Sequence, residues 1–224
     1  MKKFINSKWV LIISVIFNFL ILVKFAKDHY PKPPSFDSKI SYMFNRQTLY
    51  DLLPVSSDDI VFIGDSQTQR FPLDEMFHTV AIKNRGIDGD ITAGVLNRIS
   101  EATTGHPKKI FIQVGLNDFA LHNINPDSAA KNYELIIDRI KKQSPNSAII
   151  VQGIFPTKNV NANILITYNN LVKSVAIKNK CRFIDLYTPF LNNNGMDVKY
   201  DAGDGFHLNG NGYLLWSQII KPYL

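Results

Sequence analysis

Residues 60–67 read IVFIGDSQ. The first four are apolar and form a run of the length expected for a strand buried on both faces, and the glycine and aspartate that follow end it. A strand that is apolar on both faces is typical of a parallel sheet covered by helices on each side. This stretch therefore predicts an α/β fold in which Ser66 stands at the carboxyl end of a buried strand.

The rest of the chain repeats this alternation of short apolar runs and amphipathic stretches. Further strands are predicted at residues 80–84, 109–114, 148–154 and 182–186. Helices are predicted at residues 92–103, 128–143, 164–179 and 210–220. Strands that alternate with helices imply a three-layer αβα sandwich, with a flavodoxin-like parallel sheet of about five strands and helices on both faces.

Polar side chains suited to chemistry follow several of these runs. In sheets of this kind, active-site groups gather at the carboxyl ends of the strands. Taken singly, each segment also fits an ordinary turn, because Gly, Asn and Asp favour turns and Asp or Ser caps helices. The segments are Gly64-Asp65-Ser66-Gln67, Asn84-Arg85-Gly86, Gly115-Leu116-Asn117-Asp118 and Asp204-Gly205-Phe206-His207.

In this order, the four segments resemble the signatures of the SGNH/GDSL hydrolase family, namely G-D-S, a second-block glycine, G-x-N-D and D-x-x-H. The resemblance implies a serine esterase with Ser66 as nucleophile, His207 as general base and Asp204 as the acid that orients the base. It also implies an oxyanion hole made by the backbone N–H groups of Ser66 and Gly86 and by the side-chain amide of Asn117. The resemblance implies no cofactor and no metal.

These residue types suit acyl transfer. A serine hydroxyl is a weak nucleophile, so a base must take its proton during attack on an ester carbonyl, and an imidazole suits that task. A carboxylate on the other ring nitrogen fixes the tautomer, and N–H donors stabilise the developing oxyanion. The resemblance covers residues 60–222. The sequence departs from the family at Gln67, where an aliphatic residue such as Leu is usual. This difference predicts altered packing or an altered pocket rim.

The composition of the chain limits the classes of protein to which it can belong. A chain of 224 residues with 45% hydrophobic residues is long enough for one domain with a full core. Residues 1–27 hold five of the 25 basic residues and no acidic one, so the rest carries 20 basic against 19 acidic residues. A nearly neutral body argues against nucleic-acid binding. The lone cysteine, Cys181, excludes an internal disulfide.

The N-terminus carries an apolar run at residues 9–23, WVLIISVIFNFLILV. It is short for a membrane span, which needs about 20 residues, and no A-x-A cleavage pattern follows it. The run fits either an uncleaved membrane anchor or a cleaved signal peptide, and the sequence leaves both interpretations open. We expect residues 1–27 to form this anchor or signal segment, residues 28–35 a proline-containing stalk, and residues 36–224 the hydrolase domain on the extracytoplasmic side.

The expected activity is hydrolysis of short acyl esters. O-acetyl groups on carbohydrates are the favoured substrates, because an envelope-tethered enzyme meets glycans first. A lysophospholipase, a thioesterase or an acyltransferase would use the same residues. A non-catalytic flavodoxin-like binding module, holding a phosphate on the turn at residues 66–69, is an alternative of another class, but it leaves Asn117 and His207 unexplained. The expected partners are a small-molecule or glycan ester and, through residues 1–27, the membrane.

Overall fold

The computed structural model describes residues 38–224 apart from Asn194, together with residues 14, 17–19 and 24. The chain divides into two units, Met1–Ser41 and Tyr42–Leu224. Most of the predicted anchor or signal segment and all of the predicted stalk lie outside the described residues. No helix within the described residues is long and apolar enough to cross a membrane.

Five parallel strands form the central sheet in the order β2-β1-β3-β4-β5. This is the flavodoxin-like order, and the strand order reverses between β1 and β3. Ligand sites in such sheets lie outside the carboxyl ends of the strands at this reversal. The strands are β1 (Ile60–Gly64), β2 (Ile82–Gly86), β3 (Lys109–Gln113), β4 (Ala148–Gln152) and β5 (Arg182–Ile184).

Helices connect and cover the strands. In chain order they are α1 (Ser38–Leu52), α2 (Ser66–Gln69), α3 (Leu73–Phe77), α4 (Thr92–Asn97), α5 (Ser100–Thr103), α6 (Leu116–Ala120), α7 (Pro126–Gln143), α8 (Ala162–Lys178) and α9 (Gly210–Ile220). Two single 3-10 turns, Thr188–Phe190 and Lys221–Tyr223, and a short antiparallel pair, β6 (Leu191–Asn192) and β7 (Gly195–Met196), complete the described elements.

The two faces of the sheet bury two separate cores because successive strand residues point to opposite sides. Val61 and Ile63 of β1 belong to the core covered by α4, α5, α7 and α8. Phe62 of β1 belongs to the core covered by α9, where it stacks on Phe111 of β3 at a ring-centroid distance of 4.4 Å. Trp216 of α9 is completely buried in that core. The predicted three-layer αβα sandwich is confirmed.

Some boundaries differ from the predictions. The second strand starts at Ile82 instead of residue 80, and Val80 is 86% exposed. The helix predicted at residues 92–103 is broken into α4 and α5, because Arg98 leaves helical geometry (φ −105°, ψ 16°). The four- and five-residue helices α2, α3 and α6 were not predicted, since one helical turn carries too little periodicity to be recognised.

Candidate active site

The turn after β1 presents Ser66 at the carboxyl edge of the sheet. Asp65 caps the short helix α2, and its Oδ1 accepts a hydrogen bond from the N–H of Gln67 at 3.0 Å. Ser66 is the first residue of that helix and is 5% exposed. The turn-and-cap interpretation of G-D-S is therefore correct for Asp65, and the cap fixes the backbone that carries the serine.

A hydrogen-bonded chain links Ser66 to the C-terminal loop. Ser66 Oγ lies 3.0 Å from His207 Nε2, and His207 Nδ1 lies 2.6 Å from Asp204 Oδ2. The other carboxylate oxygen, Oδ1, accepts the backbone N–H groups of Phe206 at 2.9 Å and of His207 at 2.8 Å. The structure thus brings together the three predicted catalytic residues, which lie up to 141 positions apart in sequence.

Hydrogen bonds keep Asp204 charged. Partial burial acts to raise the pKa of this carboxyl. The bonds from the His207 ring and from the N–H groups of His207 and Phe206 outweigh that effect, and they hold the pKa of Asp204 well below its usual range. An ionised carboxylate on Nδ1 leaves Nε2 unprotonated and directed at the serine hydroxyl, which is the tautomer that a general base needs.

The backbone N–H of Gly86, a predicted oxyanion donor, is already engaged. It donates to Asn84 Oδ1 at 2.9 Å, because Asn84 folds back over the end of β2. Glycine is required at this position for packing, since a Cβ there would approach the backbone N of Gln69 to 2.2 Å. Gly86 thus allows α2 to lie close against β2, and its N–H does not supply the donor that the sequence predicts.

Gly89 is a second candidate for that donor. It lies in the turn after β2, which the N–H of Asp90 closes onto the carbonyl of Ile87 at 3.2 Å. Its φ of 75° is in the region that favours glycine. Among the residues that the structure describes, its N–H donates no hydrogen bond, and the same holds for the N–H of Ser66. The sequence carries a signal for this role, because G-I-D-G contains a second glycine three residues after the first.

Asn117 joins the same turn to the end of β3. Its Nδ2 donates to the backbone carbonyl of Asp90 at 2.9 Å. The amide carries two N–H donors, and the second has no acceptor in the described part of the chain. Asn117 is partly buried on α6. The bond to Asp90 therefore ties the Asn117 amide to the turn that carries Gly89, so the free N–H groups of these two residues are held by the same turn.

Buried carboxylates hold the framework of this edge. Asp118 accepts from the backbone N–H of Thr92 at 2.9 Å and from its hydroxyl at 2.6 Å, which ties α6 to the start of α4. The Asp90 carboxylate binds Arg98 Nε at 2.7 Å, and Arg98 also donates to the carbonyl of Gly64 at 3.0 Å. Arg98 thereby connects the strand end before the nucleophile to the turn that carries Gly89.

Other features of the surface do not enter this site. Within the described residues, no group of three or more His, Cys, Asp or Glu side chains is arranged to hold a metal ion. A groove of about 980 Å³ lies along α8 and β5, with Lys173, Arg182 and Asp185 among its lining residues. Ser66, Asp204 and His207 do not line it. The groove is therefore separate from the hydrogen-bonded chain of Ser66, His207 and Asp204.

Comparison with known proteins gives a consistent result. Residues 62–215 match the model of the GDSL-like lipase/acylhydrolase family. The chain is 30% identical over 178 residues to the platelet-activating factor acetylhydrolase IB subunit alpha2 of Rattus norvegicus, with 73% of each chain covered. A solved structure from Streptococcus pneumonia, described as a platelet activating factor, superposes with a TM-score of 0.76 at 24% identity, covering 91% of this chain and 98% of that one.

A GDSL-like lipase from Bacteroides thetaiotaomicron superposes with a TM-score of 0.72 at 21% identity, covering 80% of this chain and 95% of that one. The family match and the rat relative define a hydrolase of ester bonds. The chain belongs to the GDSL-like lipase/acylhydrolase family.

Proposed function

We propose that this chain hydrolyses short acyl esters, with acetyl esters preferred, through an acyl-enzyme on Ser66. The observation that carries the proposal is the hydrogen-bonded chain from Ser66 Oγ through both nitrogens of His207 to Asp204 Oδ2, with distances of 3.0 and 2.6 Å. A serine bonded to an imidazole that a carboxylate orients is the arrangement required for nucleophilic acyl transfer.

The chemistry follows from these contacts. His207 Nε2 takes the proton of Ser66 Oγ while Oγ bonds to the carbonyl carbon, and Asp204 stabilises the imidazolium that forms. The carbonyl oxygen becomes an oxyanion, which the N–H groups of Ser66 and Gly89 and the free amide N–H of Asn117 stabilise. His207 then protonates the departing alcohol. Water, activated by His207, attacks the acyl-enzyme and releases the acid and the free serine.

Two observations support a short acyl group. The connection between β3 and α7 consists of the five-residue helix α6 and a brief loop, and the connection between β4 and α8 is residues 153–161, so neither inserts a lid that would cover a long chain. The rat relative at 30% identity is an acetylhydrolase by name. An acetyl group agrees with both observations.

The N-terminal sequence suggests which alcohol the acyl group is attached to in the natural substrate. The apolar run at residues 9–23 and the prolines of residues 28–35 suggest an anchor or signal segment followed by a stalk. A domain held or released on the extracytoplasmic side meets O-acetylated glycans. We therefore propose a carbohydrate ester as the natural substrate.

A panel of substrates tests this function. The purified chain is assayed with acetyl, butyryl and decanoyl esters of one chromogenic alcohol and with O-acetylated glycans, and products are identified with and without an acceptor sugar. We expect the highest kcat/KM for acetyl esters and free acetate as product. Ser66→Ala should lose the activity, and Ser174→Ala, which changes an exposed serine on α8, should keep it. A preference for decanoyl esters, or transfer to the acceptor sugar, would contradict the proposal.

A further inference from the structure

Three consecutive carbonyls of the loop that carries the acid and the base are bonded from outside the loop. This loop, residues 201–208, is called the acid–base loop below. Its Asp204 carbonyl accepts from Asn159 at 3.3 Å, its Gly205 carbonyl from Thr157 at 2.5 Å, and its Phe206 carbonyl from Gln67 at 2.5 Å. The donors come from the turn after β1 and from the connection after β4.

Gln67 connects the nucleophile turn directly to the residue before the base. Its backbone N–H donates to Asp65 Oδ1, its backbone carbonyl accepts the Tyr213 hydroxyl at 3.1 Å, and its side-chain Nε2 donates to Phe206. The side chain is almost fully buried, and its Oε1 has no partner in the described part of the chain. A leucine, the usual residue in the family, has no donor for this contact.

Thr157 binds the neighbouring carbonyl from the connection after β4. Its hydroxyl donates to the Gly205 carbonyl and accepts the backbone N–H of Asn159 at 3.1 Å. Thr157 is 1% exposed, so this hydroxyl is not shared with bulk water. A buried hydroxyl that is already used as both donor and acceptor has a fixed orientation, and it fixes the carbonyl that it binds.

These external bonds add to the loop's own, which include the Asp201–Leu208 bridge and the bond from the Ala202 N–H to the His207 carbonyl at 2.8 Å. Asp204 is about half exposed, and Gly203 and Gly205 both adopt positive φ. Loops of this kind move more easily than helices and strands. A displacement of about 1 Å between reacting groups costs up to 10²-fold in rate, so bonds that help to fix His207 against Ser66 should affect kcat.

We propose that Gln67 and Thr157 are positioning residues that hold the acid–base loop so that His207 Nε2 stays in contact with Ser66 Oγ. This inference rests on the proposed serine esterase function. Neither residue touches the reacting atoms. Each acts through a backbone carbonyl within two residues of His207, Gln67 from the turn after β1 and Thr157 from the connection after β4.

Shape-preserving variants test the inference. Thr157→Val and Gln67→Met remove the donors while keeping similar volumes. Each should lower kcat for an acetyl ester by about 10- to 100-fold, with KM little changed, because substrate binding is retained while the base is misplaced. Thr157→Ser keeps the hydroxyl and should recover most of the wild-type kcat. If Gln67 and Thr157 only stabilised the fold, the variants would melt at a lower temperature, but the folded protein would keep the wild-type kcat as well as KM.

A matched control removes a buried threonine hydroxyl elsewhere. Thr103 is 2% exposed, and its hydroxyl donates to Gln143 at 2.7 Å at the opposite edge of the sheet. Thr103→Val should lower the melting temperature and leave kcat unchanged. Hydrogen exchange of the backbone N–H groups of Phe206 and His207 gives a readout independent of turnover, and it should be faster in Thr157→Val and Gln67→Met than in the wild type.

The outcomes separate the two proposals. An active wild type whose Thr157→Val and Gln67→Met variants keep their kcat overturns the positioning role and leaves the esterase function intact. A wild type without esterase activity overturns the function, and faster exchange in both variants would then still support the hold on the loop. Unchanged exchange in both variants overturns that hold.

Discussion

Asp65 and Asp204 show how differently one residue type behaves at two positions of the same site. Asp204 is about half exposed and accepts the His207 ring and two backbone N–H groups, which keep it ionised. Asp65 is 1% exposed, and its Oδ2 has no partner among the described residues. Burial raises the pKa of Asp65 to about 7. The Asp204 carboxyl is therefore held as a charge beside His207, and the Asp65 carboxyl caps the turn that carries Ser66.

The clearest residue-scale prediction concerns Asn117. If its free N–H stabilises the oxyanion, Asn117→Ala should lower kcat by roughly 10²- to 10³-fold with KM nearly unchanged. Loss of the bond to the Asp90 carbonyl should also cost about 1 kcal/mol of folding stability. Asn117→Asp should be worse, since a carboxylate places negative charge where negative charge develops.

Asn179 is the matched control for Asn117. Its Nδ2 also donates to a backbone carbonyl, that of Val175 at 3.1 Å, but it lies at the end of α8 on the opposite edge of the sheet. Asn179→Ala should lower stability and leave kcat at the wild-type value. Steady-state kinetics and thermal melts of both variants provide the check. Full kcat in Asn117→Ala would assign Asn117 to the turn alone.

Asp65 gives a prediction about pH. Its carboxyl has a pKa of about 7 when folded, against about 3.9 in an unfolded chain. Between these values the folded state binds more protons, so this group makes the protein less stable as the pH rises through the window, by at most about 1.4 kcal/mol per pH unit. Asp65→Asn keeps an acceptor for the Gln67 N–H and removes the titration.

Urea unfolding across this pH window measures the effect of Asp65. The stability of Asp65→Asn relative to the wild type should increase from about pH 4 to about pH 7 and then stay level. A difference that does not change with pH would show that Asp65 is ionised in the folded protein.

Single residues were predictable where a pattern combines residue type with strand position. Ser66, Asp204 and His207 follow from G-D-S and D-x-x-H, and the structure brings their side chains together. Gly89 was missed because the nearer glycine, Gly86, stands at the strand end. Only the folded chain shows that Asn84 takes the N–H of Gly86, since that bond depends on how a side chain folds back at the sheet edge.

At the scale of elements, long periodic segments were easier to predict than short ones. The helix predicted at residues 128–143 is α7, which starts two residues earlier because Asn125 caps it and Pro126 occupies its first turn. The break between α4 and α5 was not predictable. It occurs where Arg98 enters a buried ion cluster with Asp90 and Glu101, a tertiary contact without a local sequence signal.

This cluster gives an element-scale prediction. Arg98 bonds to Asp90 at 2.7 Å and Glu101 at 2.8 Å, and all three side chains are buried. Burial raises the pKa values of both acids, and the Arg98 charge opposes the rise. Arg98→Met would leave two buried acids without their cation and remove the bonds to the carbonyls of Gly64 and Arg85 at the ends of β1 and β2. It should cost about 3–5 kcal/mol of stability.

Lys178→Met is the control for Arg98. Lys178 bonds to Glu134 at the same distance, 2.7 Å, but it is 73% exposed. Its loss should change the urea midpoint little, because water screens an exposed pair. Equal losses of stability in the two variants would contradict a special role for the buried cluster.

For the whole molecule, the alternation of strands and helices was enough to predict a parallel sheet covered on both faces. The order β2-β1-β3-β4-β5 then places the segments after β1, β2 and β3 side by side at one edge. The hold on the acid–base loop by Thr157 and Gln67 was not predictable, because it joins segments that are distant in sequence through side chain to backbone contacts.

The domain division gives a whole-molecule prediction. A chain that starts at residue 30 lacks the apolar run of residues 9–23 and retains every residue of the site. We expect this shortened chain in the soluble fraction with full activity, and the full chain in the membrane fraction or processed near residue 27. Fractionation with N-terminal sequencing is the measurement. Full-length chain in the soluble fraction would contradict both an anchor and a cleaved signal.

Covalent labelling of the nucleophile tests directly whether His207 activates Ser66. The wild type is treated with a fluorophosphonate, which reacts with serines activated by a neighbouring base, and the labelled peptide is identified by mass spectrometry. We expect one adduct, on Ser66, that is absent in Ser66→Ala and forms far more slowly in His207→Ala. An adduct on another residue, or labelling of Ser66 at the same rate without His207, would contradict a Ser66 nucleophile activated by His207.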